Sequence, residues 1–135
     1  MKIIAHMVED ELYEAFNAHG NKVSIDMRKK PLKQGQSPVE LLQSSLAACA
    51  AVDIVAMLKK RKKTVIGFTI EIESKRMEHA PRWLTDIHCK YILTSPDATA
   101  LELEKAARLA LEKYCSVASS LKSNITFSVE IIRPQ

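Results

Sequence analysis

The chain has 135 residues, 47% of them hydrophobic and 27% charged, with 20 basic and 16 acidic side chains giving a net charge of +4. That length makes one domain spanning residues 1–135, and the apolar content excludes intrinsic disorder. The charge is too mild to indicate a nucleic-acid partner, and none is expected. Residues 1–11 reach Glu9-Asp10-Glu11 before any apolar run long enough for a secretory signal. The most apolar stretch, Leu46 to Leu58, is thirteen residues with Asp53 inside it, short of the ~20 a membrane span requires. No membrane partner is expected from it. The three cysteines, Cys49, Cys89 and Cys115, are odd in number and form no CxxC pair, which points to free thiols in a reducing cytoplasm.

The first third alternates as paired strands do. Residues 3–8 make an outer strand, and Leu12, Glu14, Phe16 and Ala18 share one face of the next. His19-Gly20-Asn21 supplies a turn, after which Val23, Ile25 and Met27 resume the alternation. RKKPLKQGQ (28–36) has no period and reads as a loop. Ser37-Pro38-Val39-Glu40 then writes a helix start, with an N-cap serine, proline at the first helical position and Glu40 placed for a capping box. This helix runs to about Arg61. From Leu46 to Leu58 only Asp53 is polar, so burial on nearly every face is expected.

Ile66, Phe68, Ile70 and Ile72 define the cleanest strand, and Trp83, Ile87, Cys89, Tyr91 and Leu93 share one parity of a second. Thr94-Ser95-Pro96-Asp97 opens a helical stretch with Leu103, Ala107, Ala110, Leu111, Tyr114, Ala118 and Leu121 spaced by threes and fours. Ile125, Phe127, Val129 and Ile131 close the chain as a strand. The order is three strands, a long helix, two strands, helices and one strand, an α+β domain.

Among groups able to carry chemistry, Cys89 shares its parity with core residues and reads as a small hydrophobe. Cys49 lies between Ala47-Ala48 and Ala50-Ala51, where small neighbours leave room for a ligand or another chain; a tightly packed core cysteine is the plain alternative. Cys115 sits late in a helical pattern. A break there would place its sulfur at a helix N-terminus and lower its pKa, but no Gly or Pro marks one. Asp53, four residues after Cys49 on the same helical face, would oppose thiolate formation there. The four histidines show no metal spacing, so no metal or other cofactor is expected, although His79 or His88 approaching a thiol would make a Cys/His pair. KKRKK (59–63) complements a helix C-terminus.

At these residues the chain resembles a family. SPVELLQSSLAACAAVDIVAML is similar to the central helix of the OsmC/Ohr proteins, the osmotically inducible and organic-hydroperoxide-resistance group, and EKYCSVASSLKSNITFSVEI to their second cysteine segment. RMEHAPRWLTDIHCKYIL, with its Ala-Pro-Arg connection, resembles one subgroup. The likeness runs along nearly the whole chain in order. It implies an OsmC-like β3-α-β2-α2-β subunit with a long buried central helix, in an intertwined homodimer with thiol sites at the interface. It further implies that Cys49 attacks a hydroperoxide and becomes a sulfenic acid, that Cys115 condenses with it to a disulfide, and that a dithiol such as dihydrolipoamide reopens the bond. Family peroxidases set an Arg from the N-terminal strands and a Glu at the start of the central helix beside the reactive thiol. Residues 1–27 hold no Arg, which leaves Arg28 and Arg82 as candidates, with Glu40 as the acid. Glu40 lies nine residues before Cys49, a rise of ~13.5 Å on a continuous helix, so it serves that thiol only across a dimer interface or through a broken helix. The expected activity is thiol-dependent reduction of organic hydroperoxides in oxidative-stress defence. A redox-responsive or ligand-binding protein of the same fold, with slow or no turnover, is the alternative.

Overall fold

A computed structural model describes residues 1–135 and divides them into two compact units, residues 1–44 and 45–135. The first unit holds an antiparallel meander of β1 (Ile4–Glu9), β2 (Leu12–Phe16) and β3 (Lys22–Asp26). Gly20 turns β2 into β3 at φ 81°, a conformation glycine adopts without strain, and Asn17 ties the turn by accepting from the backbone of His19 and Asn21. Ala15 and Asp26 are its buried side chains, whereas every residue of β1 is exposed.

The long helix, α1 (Pro38–Lys60), starts at the expected capping box: Glu40 N–H donates to Ser37 Oγ at 3.3 Å and Ser37 N–H to Glu40 Oε1 at 2.9 Å. It ends in a Schellman turn, with Lys62 left-handed at φ 61° and the Lys63 and Lys62 amides donating back to the Leu58 and Lys59 carbonyls. The KKRKK run thus terminates the helix and sets cations against its negative end.

The second unit holds a mixed sheet. β4 (Gly67–Arg76) pairs antiparallel with the central β5 (Leu84–Thr94), and β6 (Asn124–Ile132) pairs parallel with β5 on its other side. Ile87, Cys89, Tyr91 and Leu93 are buried, as their shared parity predicted. Three expectations need correction. Within the chain α1 buries only one stripe, Leu46, Ala50, Ile54 and Leu58, and Val52 is 69% exposed, because the elements of this unit cover a single side of the helix. By length and composition α1 would also pass for a membrane span, with a mean hydropathy of 1.8 over its best window; the packed stripe is how a core helix uses that composition. Next, α2 (Ala100–Leu109) begins at a Thr99–Glu102 capping box, not at Thr94, because Ser95 Oγ accepts the Asp97 and Ala98 amides and holds those residues in a turn. Finally, the helical stretch is not continuous. A π-helical turn (Ala110–Tyr114) leads to an extended Cys115 and then the short α3 (Ser116–Ser119), leaving Tyr114 53% exposed.

Candidate active site

The π-helical turn is what places the second cysteine. Cys115 N–H reaches five residues back to the Ala110 carbonyl at 2.7 Å, which ends the regular ladder without Gly or Pro. Cys115 then turns extended (φ −74°, ψ 107°) and its Sγ accepts from Ala118 N–H at 3.4 Å, so the sulfur itself caps α3. A four-residue helix brings little dipole, and burial dominates: with Cys115 wholly inaccessible, desolvation pushes its pKa up to about 11, against the lowering that the Ala118 N–H contributes. The lowered pKa expected of a helix N-terminus is therefore reversed.

Cys49, midway along α1, is half-buried, and its neighbouring thiol adds, after burial, to the raising of Cys115. Both are free thiols. A partly exposed cysteine thus neighbours a buried one, which suits a nucleophile and a resolving partner. Cys89 is fully buried on β5, and burial raises its thiol as well. Tyr91, two residues on along the same face, is also fully buried, with Phe68 stacked on it at 6.0 Å and Phe127 tilted at 6.4 Å. Its parity with Cys89 was legible in the sequence; its closeness to the thiols was not.

The other candidates stand elsewhere. Arg28, in the first unit, is bound by Asp26 through Nε–Oδ1 at 2.9 Å and Nη2–Oδ2 at 3.0 Å, and by Glu9 at 2.6 Å. Gln34 and Gly35 amides complete the acceptor set of Asp26, whose carboxyl is held far below the usual range, first by the Arg28 side chain and then by the Gln34 amide. This cluster was missed, because an Asp and an Arg two residues apart at a strand end carry no motif. Glu40 is lowered by its bond from the Ser37 amide and pairs with Lys33 at 3.3 Å. No break interrupts α1 between Glu40 and Cys49. Arg82 is exposed on the β4–β5 connection, where its Nε donates to the Met77 carbonyl at 3.3 Å. His88 lies on the face of β5 opposite Cys89, with its ring nitrogens 2.7 Å from Thr126 Oγ1 and 3.0 Å from Ser128 Oγ, which removes it as a thiol partner.

A capped apolar helix carrying a cysteine at its middle, and a second cysteine seated against it by a helix break, coincide with a family match over residues 31–130 to the OsmC-like proteins. The chain belongs to the OsmC-like family. It is 32% identical over 127 residues to Protein YhfA of Escherichia coli K12, spanning 93% of both chains. Among solved structures, a hypothetical protein of Aquifex aeolicus VF5 is 26% identical at a TM-score of 0.87, over 99% of this chain and 97% of that one. The organic hydroperoxide resistance protein OhrB of Bacillus subtilis shares the OsmC-like fold at a TM-score of 0.62 and 15% identity, over 97% and 96% of the two chains. The order of elements read from the sequence is the family's.

Proposed function

We propose that this OsmC-like chain is a thiol-dependent peroxidase for organic hydroperoxides, working in a reducing cytoplasm. The observation that carries the reading is a half-buried Cys49 on α1 whose thiol neighbours that of the wholly buried Cys115. The Cys49 thiolate attacks the distal peroxide oxygen; the O–O bond breaks, an alcohol leaves after taking a proton, and Cys49 becomes a sulfenic acid. Cys115 displaces water from it to form the disulfide, stopping oxidation short of the irreversible sulfinic acid. A dithiol of the dihydrolipoamide class then reduces the bond. Arg28 and Arg82 are the cations proposed to favour the thiolate, each to be tested by its alanine variant.

A homodimer is part of the proposal. Each unit leaves large apolar side chains in water, Met7 and Val8 in the first and Val52 in the second, and a second copy is the simplest cover for them. Sedimentation equilibrium at micromolar concentration should give a dimer, with Val52→Asp shifting it toward monomer; a well-folded wild-type monomer would refute this part.

The deciding experiment is stopped-flow oxidation of the reduced protein by cumene hydroperoxide and by hydrogen peroxide, followed by turnover with dihydrolipoamide. Cys49→Ser should abolish thiol loss to peroxide, and Cys115→Ser should leave Cys49 as a sulfenic or sulfinic acid. Thiol loss no faster than that of free cysteine would overturn the enzyme reading. It would favour instead a slow redox-responsive protein, a reading supported by the engagement of Arg28 with Asp26 and Glu9.

A further inference from the structure

Within the second unit, the C-terminal turns of α1 and the body of α2 enclose a groove of about 230 Å³. Its apolar members are the buried Leu58 and Ala106, the half-buried Met57 and Leu109, which is left 45% exposed. Met57 lies eight residues beyond Cys49, ~12 Å of rise along the helix, so the groove is separate from the thiols.

The charges around it are lopsided. Lys60, Arg61 and Lys105 also line it, are exposed, and make no ion pair or hydrogen bond through their side chains. Glu102 is the one acid, and it is already engaged: its Oε1 accepts from the Thr99 amide and Thr99 Oγ1 at 3.0 Å each and faces Lys63 at 3.5 Å. The end of α1 does not account for the cations. A helix end carries only about half a negative charge, Lys59 and Lys62 stand there as well, and Lys105 belongs to α2. The Met57, Leu58 and Lys59 carbonyls are moreover filled by the Arg61, Lys63 and Lys62 amides.

An apolar groove edged by unpaired cations is complementary to an apolar chain that ends in an anion. At roughly 30 Å³ for a group the size of a water molecule, it has room for about eight such groups, a single medium-length tail. The charge of Glu102 beside the cations favours a singly charged head over a phosphate monoester, which carries about −1.5 to −2. We propose that this groove binds a medium-chain fatty-acid carboxylate, its tail against Met57, Ala106 and Leu109 and its head met by Lys60, Arg61 and Lys105. The inference goes beyond the thiol chemistry and stands without it.

Octanoate titrated into the isotope-labelled full chain and followed by two-dimensional NMR tests it. Amide shifts should saturate and cluster at residues 57–61 and 105–109. Affinity should rise about three- to fourfold per methylene from hexanoate to octanoate, then level off near decanoate as the groove fills. Octanol should bind at least about threefold more weakly than octanoate, and octyltrimethylammonium not at all. Lys60→Ala with Lys105→Ala should weaken octanoate about three- to tenfold. Leu109→Ser should weaken it about threefold or more, with the Tm of each variant within about 2 °C of wild type. Shifts scattered over the surface, equal affinity for octanol, or affinity unmoved in these variants would overturn the inference. Binding to phosphatidylglycerol vesicles with none to monomeric octanoate would overturn it too, by making the cations a membrane contact. So would conversion of a wild-type dimer to monomer by Leu109→Ser, since a second copy would then fill the groove.

Discussion

Asp26 in the first unit and Cys115 in the second are equally withdrawn from water, yet their surroundings differ in kind. The carboxylate receives five hydrogen bonds, three from Arg28 and one each from the Gln34 and Gly35 amides. The sulfur has the Ala118 amide, a weaker contribution from the Val117 amide, and a neighbouring thiol. Satisfied on every side, Asp26 is locked in its charged form; short of donors, Cys115 is held in its neutral one. A buried group that is fully paired gives structure, and one left short is available to react. Asp26→Asn should therefore bring a large stability loss, on the order of 10 °C in Tm, because it takes the buried charge partner from the Arg28 guanidinium and leaves it only the exposed Glu9. Calorimetry checks this, and a change under about 2 °C would remove the contrast.

The two clusters also divide the pH range. The folded-state pKa of Asp26 is depressed, so its stabilisation is present above the unfolded value near ~4 and is lost as pH falls below it. Cys115 is shifted upward, so its preference for the fold is complete below the unfolded value near ~8.5 and is lost as pH rises toward about 11. Urea unfolding across pH should show an acid limb that Asp26→Asn flattens and an alkaline limb that Cys115→Ala reduces. The alkaline limb should not vanish, since burial raises Cys89 and Tyr91 in the same direction. An acid limb unchanged by Asp26→Asn would show that other carboxylates carry it.

Cys115→Ser sharpens the comparison at smaller scale. Serine is a better N-cap than cysteine and its Oγ suits the Ala118 amide, so the fold should lose no more than about 1 kcal/mol despite full burial of the site. A cooperative unfolding transition close to wild type, together with a persistent Cys49 sulfenic acid after peroxide, is the expected pair of results. A much larger loss would make Cys115 structural in the sense that Asp26 is.

What the sequence disclosed follows the same division. Strand parity put Cys89 and Tyr91 in the core, and Ser37-x-x-Glu40 wrote its capping box in four letters, because these patterns depend only on local geometry. The break before Cys115 was hidden. It arises from one amide reaching back to Ala110, a choice of ladder that Ala-Leu-Glu-Lys-Tyr does not encode alone. The Asp26–Arg28 cluster was hidden for a related reason, since its acceptors are filled from a loop eight and nine residues away. Nor does burial of α1 follow from its composition: an apolar helix reports that it needs covering, and the chain by itself covers one stripe.

The smallest expected effect belongs to Glu40, whose place on either side of this division is open to one substitution. Its Oε1 accepts the Ser37 amide and faces Lys33; the carboxylate is exposed and the Lys33 side chain half-buried. Glu40→Gln keeps an oxygen for the cap and gives up only the ion pair with Lys33, which keeps its bond to the Asp26 carbonyl, so the Tm should move by about 1 °C at most. Stability thus separates cleanly from function at this position. If Glu40 only caps α1, cumene hydroperoxide oxidises Cys49 at the wild-type rate in the variant, which is the result its present partners favour. A slower rate at unchanged Tm would instead put the carboxylate to work at a thiol, and the unbroken α1 forbids that thiol from being Cys49 of the same chain. Mixed dimers of Glu40→Gln and Cys49→Ser subunits then decide, because sharing across subunits restores one intact site in each heterodimer and activity must rise above both parents after exchange. No rise, with exchange verified by mass, returns Glu40 to the cap.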